Sequence, residues 1–160
     1  MEITIPAKRI SKRGLKVWRM MGVIFSLIAW AIAIGVGVAA YFLDWPVWIV
    51  VVTGLLALIE TVSAVWIIPS IRWKRWRYEV NEHELELQHG VIFVHRTLVP
   101  MVRVQHVDTS QGPLLKKYDL ATVSISTAAT THEIPAVDVG EAEELRRLIS
   151  ALARVAKDDV

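Results

Sequence analysis

The chain has 160 residues, 54% of them apolar, a formal net charge of +2 and no cysteine; its mean hydropathy is +0.42 and its isoelectric point near 9.0. That balance belongs to a membrane protein with a small soluble part, and the length holds one ordinary domain at most. The missing cysteines exclude disulfides, thiolate catalysis and cysteine-based zinc sites.

Residues 1–19 form a basic segment carrying Lys8, Arg9, Lys12, Arg13, Lys16 and Arg19. From Met20 to Leu43 no residue is charged, and these 24 residues, at ~1.5 Å each, give about 36 Å of helix, enough for a hydrocarbon core of about 30 Å. The run is well beyond the short apolar region of a cleaved signal peptide, and a second run follows at once. That second run, Pro46 to Ile71, has Glu60 as its single charge and is separated from the first by Asp44-Trp45. Residues 20–71 are therefore predicted to be a transmembrane helical hairpin, with spans at about 20–43 and 46–71 and Pro46 in the first turn of the second helix. Arg72, Lys74, Arg75 and Arg77 follow it, while the connecting loop holds only Asp44. The positive-inside rule then predicts a multi-pass protein of the cytoplasmic (inner) membrane with both termini in the cytoplasm. Trp18, Trp45, Trp48, Trp66, Trp73 and Trp76 fall near the span ends, where an indole is half in lipid and half wet; Trp30 lies deep.

Residues 72–160 read as a cytoplasmic β domain ending in a helix. A strand at Trp76 to Val80, a turn at Asn81-Glu82-His83 and an alternating strand at Glu84 to Gln88 precede a break at Gly90 and a β-rich run from Val91 to Val99. Further strands fit "MVRVQHVDTS" and "DLATVSISTA", with Gln111-Gly112-Pro113 as turn chemistry, "LLKKY" as a short helical turn and "THEIP" as a last short strand. The terminal helix is predicted to start at Asp138, capping its own N-terminus with Glu141 three residues on; Ala142, Leu145, Leu148, Ile149 and Leu152 form its apolar stripe.

Charge is distributed unevenly. The two segments flanking the spans hold 10 of the 18 basic residues, and Tyr78 to Val160 holds 13 of the 16 acidic ones, leaving that part near −5. The basic residues read as topology signals and anionic-lipid contacts, and no basic stripe remains for nucleic acid.

The segments "RYEV" (Arg77 to Val80), "LELQHGV" with Gly90, "RTLVPMVRVQHVDTSQGPL" with Pro100, Arg103, Val104, Gln105 and Gln111-Gly112-Pro113, and "YDLATVSISTAA" (Tyr118 to Ala129) resemble the bacterial pleckstrin-homology-like, membrane-flanked family, in its YdbS-like group. The resemblance covers nearly the whole chain, and the block from Arg103 to Gly112 is its most specific part. One departure is Asp119, where such sequences often carry glycine; Asp tolerates a left-handed or turn conformation. The resemblance implies an α+β protein: after the hairpin, two packed antiparallel sheets, open at one end and plugged at the other by the C-terminal helix. It also implies a role in a bacterial envelope assembly, beside a larger YdbT-like membrane protein with repeated copies of the domain.

No catalytic constellation supports an enzyme, and no cofactor is expected. His83, His89, His95, His106 and His132 show no metal-ligand spacing. The Ser/Thr-rich stretch Thr122 to Thr131 lacks a G-x-S-x-G motif, and the glycines of "GVIFV" and "QGPLL" are turn glycines rather than a phosphate loop. The excess acid of the domain, in which Lys116-Lys117 is an adjacent basic pair, disfavours lipid-headgroup recognition, and no small-molecule substrate is evident. A membrane protein partner or homo-oligomer suits it better, through a strand added to a sheet edge, with Arg103, Gln105, Gln111 and Gly112 as the candidate surface where turn and sheet roles also account for them.

Glu60 breaks a local rule, since a carboxylate in a bilayer core costs roughly 2–3 kcal/mol or more. Thr53, Ala57, Glu60 or Thr61, and Ala64 share a helical stripe of small and polar residues, and Ala31, Gly35 and Ala39 repeat at four-residue spacing on the first span. A neutral or hydrogen-bonded Glu60 in such an interface, within the hairpin or between protomers, is preferred to a proton or ion relay, which would require an oligomer.

Overall fold

A computed structural model of the chain describes residues 6–158. The chain divides into two compact units, residues 16–71 and the remainder on either side of them.

The first unit consists of two helices long and apolar enough to cross a membrane, Lys12–Phe42 and Val47–Arg75, each continuing past the apolar run into its basic flank. Helix α1 (Lys12–Phe42) ends where Asp44 turns left-handed, with φ of 49°. Trp45 N–H bonds back to Ala40 O at 3.0 Å, the long bond of a Schellman turn. Pro46 is extended and stands just before α2 (Val47–Val62), one position earlier than expected. The second helix is not uniform. A π-helical turn, Ser63–Ile67, in which Ile68 N–H reaches back to Ser63 O, separates α2 from α3 (Ile68–Arg75). Proline within a helix lacks a donor and crowds the carbonyl four residues back, here Val65; the widened turn just before Pro69 accommodates it without ending the helix.

The second unit holds two antiparallel sheets. One has four strands in sequential order: β1 (Lys8–Arg9), β2 (Arg77–Val80), β3 (Glu84–His89) and β4 (His95–Pro100). A 3₁₀ turn, Met101–Arg103, leads into the three-stranded sheet of β5 (Val104–Ser110), β6 (Leu120–Thr127) and β7 (Thr131–Asp138). Helix α4 (Pro113–Lys117) joins β5 to β6, and Asp119 after it is left-handed at φ 54°, the conformation that an Asp in a glycine position has to adopt. Helix α5 (Val139–Asp158) packs on the second sheet, mainly against β5 and β6. The core lies between these layers: Tyr78, Leu85, Leu87, Met101, Val104, Leu120, Ile125, Ile134 and Ile149 are fully buried. The arrangement is α+β, as the resemblance implies: an apolar helical hairpin, then antiparallel sheets and a C-terminal helix.

Four local expectations change. The run Val91 to Val94 is not strand but the loop of the β3–β4 hairpin, closed by the His89–His95 pair; Gly90, at φ 133°, turns the chain so tightly that a Cβ there would strike Phe93 O. Strand β1 pairs Lys8 with Tyr78 and was invisible to periodicity because it is two residues long. The Asp138 carboxylate accepts from the Ser11 hydroxyl at 3.2 Å and pairs with Arg13, while Glu141 accepts from Tyr78 O–H at 2.7 Å, so the expected capping pair is engaged in tertiary contacts. On α5, Leu148 is exposed, and Ala153 takes its place in the buried stripe with Ala142, Leu145 and Ile149.

Candidate functional site

Three places carry side chains whose arrangement asks for a role. Within the hairpin, Thr53, Gly54, Ala57, Glu60, Thr61 and Ala64 lie on the partly buried side of the second helix. Trp30 Nε1–H donates to Thr61 Oγ1 at 3.1 Å, joining the helices, and the Thr61 hydroxyl donates to Ala57 O. Oε2 of Glu60 is buried and has no hydrogen-bond partner among the described residues. The backbone carbonyl of Glu60 accepts from Ser63 N–H at the entry to the π turn.

The first helix meets the second through a different small-residue stripe from the one expected. A Cβ on Gly22 would strike Ala64 O, and Ser26 and Ala40 are buried. Gly35, by contrast, is exposed with nothing within 4 Å of an added Cβ, and Ala31 is exposed too. Alpha-helical spacing puts Ala31 and Gly35 about half a turn from Ala33 and Gly37, so two small stripes exist and only the seam through Gly22 and Ser26 is used.

In the soluble unit, Arg103 and Gln105 come together and Gln111 and Gly112 do not join them. Arg103 ends the 3₁₀ turn; Gln105 is the extra residue of a β-bulge, between the pairs Val104–Thr127 and His106–Ser126. Both are exposed and line a recess of about 380 Å³ with Val102, Thr127, Ala129 and Lys157. Gln111 and Gly112 lie at the other end of β5, where Gln111 Nε2–H donates to Leu120 O at 2.8 Å and braces the turn. Gly112 precedes α4 in an ordinary extended conformation. A second recess, of about 340 Å³, runs between β5, an edge strand of its sheet, and α5; Val104, Gln105, His106 and Val107 form one wall and Ser150, Ala153, Arg154 and Lys157 the other. Together these recesses form a groove with an apolar floor and a basic rim.

The third place was missed from the sequence. His89 and His132 line a cleft of about 300 Å³ with Arg72, Trp76, Leu87, Thr131, Glu133 and Pro135. The Trp76 and His89 rings stack at 5.8 Å, and His95 lies 5.9 Å beyond His89. Burial first, then the nearby His95, Arg72 and His132, pull the His89 imidazole below the usual histidine range. The hairpin register opposing His89 and His95 was the signal that could have grouped them. Among the described residues no group of three or more His, Asp or Glu side chains is placed to hold a metal ion.

Comparison with known proteins agrees with the architecture. The family model for the bacterial PH domain matches residues 13–153. The chain is 57% identical over 155 residues to the UPF0699 transmembrane protein YdbS of Bacillus subtilis (strain 168), covering 97% of this chain and 98% of that protein. It is 24% identical over 91 residues to the UPF0699 transmembrane protein YdbT of the same organism, covering 53% of this chain but 18% of the larger one. No solved structure matches the chain.

Proposed function

Because the chain belongs to the bacterial PH domain family, we propose that it is a non-enzymatic, membrane-anchored assembly module of the bacterial envelope, whose soluble unit faces the cytoplasm and binds a protein partner. The observation that carries this reading is the groove between edge strand β5 and α5. An edge strand offers unpaired backbone groups to an added strand, and the Val104, Val107 and Ala153 floor offers apolar contact for every second side chain of that strand. Arg103, Arg154 and Lys157 along the rim suit a segment carrying acidic residues. A larger membrane protein of the same family, related to this chain over part of its length as YdbT is, fits as the partner.

Glu60 supports a second reading. A buried carboxylate oxygen without a partner among the described residues would be satisfied by a donor from another chain, which makes Glu60 an intramembrane contact of the assembly. An oligomer that uses Glu60 for proton or ion movement is the alternative. Gentle detergent extraction of tagged protein from native membranes tests both, with wild type, Glu60→Leu and Arg154→Glu/Lys157→Glu compared side by side. The assembly reading expects a stoichiometric membrane-protein partner, lost in the groove variant and weakened by Glu60→Leu. A partner retained in full by the groove variant removes the groove, and proton flux in proteoliposomes abolished by Glu60→Gln would establish the alternative.

A further inference from the structure

The loop of the β3–β4 hairpin exposes three consecutive large apolar side chains: Ile92 is 82% exposed, Phe93 75% and Val94 50%. A run of this kind on a water-facing domain needs a cover. The loop is also held in shape. Gly90 sets its tight turn, and the Arg75 guanidinium donates to the carbonyls of Val91 at 2.6 Å and Ile92 at 3.3 Å. A flexible loop would fold its apolar residues back onto the protein; this one is braced with them pointing away.

Arg75 also tells where the loop is. It is the last residue of the second membrane helix and stands four positions beyond Ile71, the end of the apolar run. Four residues of helix rise about 6 Å, so a guanidinium at this position belongs to the headgroup layer, and so do the carbonyls it binds. Trp73 and Lys74 share that turn, an indole and an ammonium suited to the same layer.

We propose that Ile92, Phe93 and Val94 insert into the headgroup and acyl boundary of the bilayer that the hairpin spans, giving the domain a third point of membrane attachment. Arg75 at the loop, with Arg72 and Lys74 in the same stretch of helix, would draw anionic lipid to this level of the bilayer. The occupant is the bilayer, not a second protein, because the chain itself fixes the loop within reach of the interface.

The lack of cysteine makes the test direct. Phe93→Cys and, independently, Ile92→Cys are spin-labelled in the full chain reconstituted alone into vesicles of phosphatidylglycerol and phosphatidylethanolamine, with Ala129→Cys, at the exposed β6–β7 turn, as the reference. Both substituted side chains are exposed, so neither variant removes core packing. Collision with oxygen, which concentrates in lipid, is compared with collision with a water-soluble nickel chelate. The expected result is an oxygen-to-nickel ratio at least fivefold higher at positions 92 and 93 than at 129. Equal ratios at all three positions would overturn the proposal. So would shielding at 92 and 93 accompanied by dipolar broadening that vanishes on dilution with unlabelled chain, since a second copy would then be the cover.

Discussion

The two units of this molecule are built inside out with respect to each other. In residues 16–71 the buried positions are Val17, Gly22, Ser26, Ala40, Ala57, Val65 and Pro69, while Phe25, Leu27, Ile32 and Trp48 face outward. In the other unit Tyr78, Leu85, Met101 and Ile149 are inside, and charged side chains such as Lys116, Glu144 and Arg154 are outside. Water drives large apolar side chains inward; lipid gives them no reason to leave it, so close approach of small residues and local hydrogen bonds must hold the helices. The difference shows which solvent each unit is built for, independently of hydropathy averages.

The contrast breaks most readily at size. Ile149→Ala should cost the domain about 2–5 kcal/mol, because it empties a fully buried site, whereas Leu27→Ala in the hairpin should leave unfolding of the detergent-extracted protein almost unchanged. Equal effects would mean that the hairpin packs as a water-soluble core does. Adding bulk should reverse the order: Gly22→Leu drives a side chain against the Ala64 carbonyl and should cost about 3 kcal/mol, while Gly35→Leu meets nothing and should be neutral, as read by thermal denaturation in mild detergent.

Within the water-facing unit one close approach is self-reporting. A Cβ on Gly14 would sit 2.6 Å from the Ala136 Cβ, and Ala136 is itself left-handed at φ 54°. Gly14→Ala should therefore cost about 1–3 kcal/mol. Ala136→Gly, which relieves the backbone but loosens the unfolded chain, should be nearly neutral, and the double variant should recover most of the loss. Additive losses in this double-mutant cycle would show that the two sites do not touch.

Smaller effects follow from titration. Burial and the Glu141 carboxylate raise the Tyr78 hydroxyl above its ordinary value, so the folded state favours neutral Tyr78. This contribution is complete below about pH 10 and is lost as pH rises past it, when the unfolded chain ionises and the folded one resists. Tyr78→Phe should cost about 1 kcal/mol at neutral pH and blunt the alkaline loss in urea titrations. His89 runs the other way: held below its usual range, it binds a proton more readily unfolded, so stability should fall modestly as pH drops below about 6.5. His89→Gln should flatten that acid limb, and an unchanged limb would assign it to another group.

Much of this was legible before any coordinates. The spans, the strand sequence and the terminal helix follow from apolar run length and from alternation, which solvent imposes on every chain. The failures share a cause: periodicity cannot see a partner. Lys8–Arg9 is a strand only because Tyr78 is beside it, Val91 to Val94 read as strand because apolar residues were taken to be internal, and two small stripes on α1 are equivalent until the second helix selects one. At the candidate sites, Arg103 and Gln105 fall on one groove because a bulge turns β5, which no spacing announces, whereas Gln111 was already suited to the turn it braces. The histidine cleft assembles residues from β3 and β7, distant in the chain and joined only by sheet packing.

The pairing of β1 with β2 has a consequence for synthesis. Ala7 N–H donates to Glu79, 72 residues away, and Lys8 pairs with Tyr78 across the whole membrane hairpin. On a ribosome the edge strand emerges first and must wait, unpaired, while both helices are made and threaded into the lipid. Only then does its neighbour arrive. The β1 edge of the four-stranded sheet thus cannot close before the hairpin is made, and a chain whose hairpin fails to insert is left with an open edge that folding factors or proteases can read as unfinished.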